Sequence, residues 1–150
     1  MAKEKYVRCD LWNKDYTAST EGVLKLLVIM FGGGAWGIVA TSAYNFSITG
    51  AYSFFMWVAV GTWALSLASY LINLTTHELR RQPDKGDLLM ALCFGVLHLI
   101  AAIVFMVYTF SYLLWPRAPG ITVAVLEWIT TLIYIIYGAS LVSYYVVANS

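Results

Sequence analysis

Hydrophobic positions along this chain do not alternate and do not fall into one helical stripe. They run nearly unbroken through four stretches, at about residues 22–43, 51–74, 88–115 and 121–147. A helix crossing a bilayer needs about 20 mainly apolar residues, and each stretch meets that length. Polar residues gather in the first 20 positions, in the connection THELRRQPDKGD and in two short links, YNFSITG and PRAPG. The pattern predicts a polar tail over 1–20 followed by one four-span domain over 21–148. Ser19 and Thr20 offer an N-cap for the first span and Pro116 a stop for the third. All three prolines (Pro83, Pro116, Pro119) are read as loop residues, so the spans are expected to be continuous.

Charge sets the expected orientation. Lys3, Lys5, Arg8, Lys14, Lys25, Arg80, Arg81 and Lys85 fall on one side and only Arg117 on the other, eight against one. The positive-inside rule therefore puts the tail, the middle connection and the C-terminus in the cytosol. The tail is too polar for the apolar core of a cleavable signal, so the first span is expected to direct insertion itself. The fold class expected is an all-α membrane protein, a four-transmembrane-helix bundle with both termini cytosolic.

Composition narrows the function. Of 150 residues, 61% are hydrophobic and 11% charged, and the net charge of +1 leaves no basic stripe for nucleic acid. Mean hydropathy is +0.73. Cys9 lies in the polar tail and Cys93 in an apolar run, with no Cys/His cluster for a metal, and no cofactor is expected. Cys9 is a possible lipidation site, read first as a plain reduced thiol. Asn45 sits in a sequon on the expected outer side, but so close to the membrane that an unmodified side chain is the better reading. The Asn73 sequon falls on the cytosolic side.

Helices in a bilayer associate through small residues rather than hydrophobic burial. Gly33 and Gly37 form a small-xxx-small pair continued by Ala40, and Gly61, Ala64 and Ala68 form a second stripe. Each serves either packing inside the bundle or contact with a second copy, with the larger share given to the former. In the third span Ala91, Gly95, His98 and Ala102 share a face, and in the fourth Ala124, Glu127, Thr131, Tyr134 and Gly138 do. At 1.5 Å per residue, His98 lies about 15 Å from one boundary and Glu127 about 9 Å from the other. In a core about 30 Å thick they stand within about 6 Å of the same height. An intramembrane ionisable residue is a functional candidate by default. His98 and Glu127 form either a proton or ion relay or a hydrogen-bonded polar clasp, and the clasp is favoured because no further acids line a span. Lys25 is read as snorkelling to the nearby edge.

Aromatic residues near the span ends fit an interfacial belt: Trp12, Tyr16, Tyr44, Tyr52, Tyr112, Trp115, Tyr144 and Tyr145. Trp36, Trp57, Trp63 and Trp128 lie deeper, packing the core or facing lipid.

The run from Ala51 to Val60, AYSFFMWVAV, with Trp63 beyond it, resembles the second span of the MARVEL tetraspan family, the plasmolipin, MAL proteolipid and chemokine-like-factor group. The run Thr131–Ser140, TLIYIIYGAS, is similar to that family's closing helix, and EGVLKLL and WGIVA are similar to the two ends of its first. The short second outer link and short C-terminal segment depart from the family pattern. The resemblance implies a non-enzymatic MARVEL-like tetraspan that organises membrane domains in vesicle trafficking, membrane apposition or cell junctions. It would sit in the plasma membrane or in secretory and endosomal vesicles. Membrane lipids would be its partners, with self-association or another membrane protein beside them. The alternative is an accessory subunit of a channel, pump or junctional assembly. A transporter is disfavoured by the lack of a visible inverted repeat and of proline-broken helices.

Overall fold

The computed structural model describes residues 14–41, 50–75, 85–111 and 117–150. Cys9, Asn45, Pro83 and Pro116 lie outside the described residues, as do the basic residues of the tail before Lys14 and of the 76–84 connection. A single turn, α1 (Lys14–Thr17), precedes α2 (Thr20–Thr41), α3 (Gly50–Thr75), α4 (Lys85–Ser111) and α5 (Arg117–Ala148). The four long helices have 22, 26, 27 and 32 residues. Among the described residues these four are long and apolar enough to cross a bilayer.

The start of α2 is built by its capping residue. Ser19 Oγ accepts from the Gly22 amide at 3.1 Å and donates to the Tyr16 carbonyl at 2.6 Å, which satisfies one amide of the first helical turn. The other ends shift from the sequence expectation. α4 begins at Lys85 and takes Asp87 into its first turn. α5 begins at Arg117, so Pro119 belongs to the helix rather than to a loop. Its missing N–H costs nothing there, because first-turn amides have no carbonyl four residues back.

The spans form an antiparallel ring in which each helix packs on its chain neighbours and α5 closes against α2. At the end away from the termini the interior is apolar. Ala35 and Val39 of α2, Phe55, Val58 and Ala59 of α3, Ala101 and Phe105 of α4, and Val123 and Ala124 of α5 form one buried cluster. The Phe55 and Phe105 rings meet there at 4.9 Å between centroids. Large apolar side chains also cover the outside, including Met30, Trp57, Ile72, Leu89 and Ile135. That arrangement suits hydrocarbon as solvent.

Candidate functional site: a polar column inside the bundle

Towards the end that carries the termini, the interior changes from apolar to polar. Thr62, Ser66 and Ser69 follow one another on α3 at spacings of four and three, which puts three hydroxyls on one helical face. The same periodicity on α4 aligns Asp87, Ala91 and His98, and on α5 it aligns Glu127, Tyr134 and Tyr137. Of these, Thr62, Ser66, Asp87, His98 and Glu127 are all buried.

The tier nearest the termini is centred on Lys25. Its Nζ lies 3.0 Å from Glu21 Oε1, 2.9 Å from Ser69 Oγ and 3.6 Å from Asp87 Oδ1. It also lies 6.0 Å from the centre of the Tyr137 ring. All four spans therefore meet at this ammonium group, which is 7% exposed. Lys25 does not snorkel; it turns inward because two carboxylates and a hydroxyl replace its hydration shell there. Tyr16 of α1 packs beside this tier against Tyr70, with 5.7 Å between ring centroids. Burial and, after it, the Glu21 carboxylate push the Tyr16 phenol above its ordinary range.

In the middle tier Ser66 Oγ and Tyr134 OH are 2.9 Å apart. Between this pair and Lys25 lies a small cavity of about 20 Å³, lined by Lys25, Ser66, Asp87, Tyr134 and Tyr137 and by the apolar Leu24, Val28, Met90, Ala91 and Phe94.

The deepest tier joins three helices. His98 of α4 stacks on the Tyr134 ring at 5.0 Å and 25°. Its Nε2 is 2.7 Å from Thr62 Oγ1 and its Nδ1 is 2.5 Å from Glu127 Oε1. Thr62 Oγ1 also lies 2.7 Å from the Val58 carbonyl oxygen. That carbonyl can only accept, so the threonine proton goes to it and Nε2–H donates to the threonine oxygen. Nδ1 and Oε1 then share one proton, since two bare acceptors do not approach to such a distance. Glu127 is fully buried, and its Oε2 has no hydrogen-bond partner among the described residues.

The small residues singled out in the sequence separate into two groups. Gly33 stands against Trp63: a Cβ there would lie 2.9 Å from the indole nitrogen, which donates to the Ile29 carbonyl at 3.0 Å. Gly95 and Gly138 lie at the α4–α5 contact, where a Cβ would meet Tyr134 at 3.6 Å and Leu92 at 3.7 Å. Gly37 and Gly61 have open space where a Cβ would stand, and Ala64 and Ala68 are exposed, so among the described residues the α3 small stripe faces outward. Cys93 also faces outward.

Two features escaped sequence reasoning. One is the Lys25 cluster, for which the four-residue spacing of Glu21 and Lys25 was an available signal. The other is the α3 hydroxyl stripe, which occupies the face opposite the small residues.

Four apolar spans enclosing a sequestered polar column define an integral, multi-pass membrane protein of the tetraspan class. No family model matches the chain. No solved structure matches it. Over 97 residues it is 37% identical to MARVEL domain-containing protein 1 of Xenopus laevis, a match covering 62% of this chain and 55% of that protein. The chain thus aligns with about half the length of this relative. Over those 97 residues the chain is similar to a MARVEL-domain protein, and its four apolar helices make it a four-span membrane protein.

Proposed function

We propose that this protein organises membrane domains, as a non-enzymatic tetraspan close to the plasmolipin, MAL and chemokine-like-factor group, in trafficking vesicles or at sites of membrane apposition. One observation carries the reading: Lys25, Thr62, Ser66, Asp87, His98 and Glu127 are buried inside the bundle, its interior cavity is only about 20 Å³, and every span presents apolar side chains outward. A cavity of that size is too small for a substrate, so on this reading the working surface is the lipid-facing one. A bundle of fixed hydrophobic length sorts lipids by thickness and packing. α5, at 32 residues, is about 48 Å long. It exceeds a hydrocarbon core of about 30 Å and must tilt or emerge from it.

A second reading, an accessory subunit of a larger membrane complex, is favoured by the outward Gly61, Ala64 and Ala68 stripe, which leaves room for a foreign helix. Purification in lipid nanodiscs with mass spectrometry of what stays bound separates the two. A distinctive lipid set without a constant protein partner supports membrane organisation. One protein at fixed stoichiometry replaces it with the subunit reading.

A further inference from the structure

The Lys25 tier is buried although it stands close to the end of the bundle. Lys25 is the sixth residue of α2 and Asp87 the third of α4, yet each is only 7% exposed. Over this end lies α1, which packs on both α2 and α3. Its Tyr16 is buried against Tyr70 of α3. Burial, and after it the Glu21 carboxylate, hold the Tyr16 phenol above its ordinary range, and Asp87 from α4 pushes the same way. The phenol therefore stands among the charges of the Lys25 tier. Little holds it there. α1 is one turn of four residues, whereas a helix alone in water is marginal below about 12–15. Lys14, Thr17 and Ala18 face outward. The Tyr16 carbonyl ties the turn to α2, accepting from the Ser19 amide at 3.0 Å and the Ser19 hydroxyl at 2.6 Å. Gly22 supplies the room, since a Cβ at that position would run into the same carbonyl oxygen.

The geometry points to α1 as a latch on the Lys25 tier: closed, it keeps Tyr16 over Glu21, Lys25 and Asp87, and lifted, it admits water to them while the four spans stay packed. The spans have their own ties, from His98 to Thr62 and Glu127 and from Ser66 to Tyr134, so the single turn is the element that opens first. Ser19 is the pivot. When the Tyr16 carbonyl leaves, the Ser19 oxygen still accepts from the Gly22 amide, so α2 stays capped in both states. Hydration of the three charges offsets part of the lost Tyr16–Tyr70 packing. Opening changes what this end of the bundle presents, from a phenol cover to two carboxylates around one ammonium, a net negative patch.

The test uses the full chain in nanodiscs with ¹⁵N-labelled lysine side chains, and follows by NMR how fast each ammonium exchanges with water. Lys25→Arg assigns the Lys25 signal. In the wild type that ammonium is expected to be protected, while the exposed Lys14 and Lys85 exchange freely. Gly22→Ala and Tyr16→Ala each speed exchange at Lys25 severalfold, with amides inside the spans keeping their protection. Gly37→Ala, whose added methyl meets open space, leaves it unchanged. A wild-type Lys25 that exchanges as freely as Lys14 would mean that nothing seals the tier and would overturn the proposal. So would unchanged exchange in both variants, or a rise that comes only with loss of protection in the spans. Tyr16→Ala removes no atom from a span, so the latch stays testable even if Gly22→Ala disturbs the start of α2.

Discussion

Trp63 rests in the notch left by the missing side chain of Gly33. The indole nitrogen lies 2.9 Å from where a Cβ would stand, and it donates to the Ile29 carbonyl one helical turn away. Trp36 then meets Trp63 edge-on at 5.2 Å between ring centroids. Gly33→Ala forces the indole off its carbonyl and destabilises the bundle by about 1–2 kcal/mol, from overpacking and one lost interhelical bond. Gly37→Ala, with open space around it, stays within about 0.5 kcal/mol of wild type. Unfolding in mixed detergent micelles measures both, and equal costs would remove the packing role assigned to Gly33.

The His98–Glu127 contact couples α4 to α5. Interhelical hydrogen bonds in bilayers contribute about 0.6 kcal/mol on average and at most about 1.7, because the separated helices also find partners. A double-mutant cycle of His98→Ala and Glu127→Ala is expected near the top of that range, given burial and the short contact. A coupling indistinguishable from zero would mean that the two side chains do not support each other.

Gly22 is a second place where only glycine fits. A Cβ at residue 22 would stand 2.1 Å from the Tyr16 carbonyl oxygen, a backbone atom that cannot rotate away. Gly22→Ala therefore displaces α1 and loosens Tyr16 from Tyr70. The readout is faster amide exchange over residues 16–22 with the spans still folded.

Removing the ammonium group at the termini end leaves two carboxylates facing each other. Lys25→Met should cost several kcal/mol, of the order of the 3–5 kcal/mol lost when a buried pair is broken in soluble proteins. Adding Glu21→Gln and Asp87→Asn should recover much of that loss, since the unpaired charges are gone. A triple variant no more stable than Lys25→Met alone would show that charge pairing is not what holds this tier.

Self-association, where it occurs, should use the open stripe on α3. Gly61→Leu with Ala64→Leu is expected to abolish dimers in a crosslinking or photobleaching assay while leaving thermal stability unchanged, because both positions are exposed among the described residues. Dimers that persist would place the contact elsewhere.

Much of the architecture was set by the sequence alone. Four apolar runs of bilayer length require four helices, since each backbone polar group in hydrocarbon must be satisfied within its own segment. Helical spacing and depth also brought His98 and Glu127 to neighbouring heights on facing stripes. Which face of α3 turns inward was a different matter. Both its small stripe and its hydroxyl stripe suit a helix contact. In a bilayer, apolar character no longer distinguishes inside from outside, so only packing against Lys25, His98 and Tyr134 selects the hydroxyls. The same holds for Lys25: its sequence position near a span end allows snorkelling or burial. What decides between them is Asp87 and Ser69 arriving from two other helices, and no local pattern along the chain records that meeting.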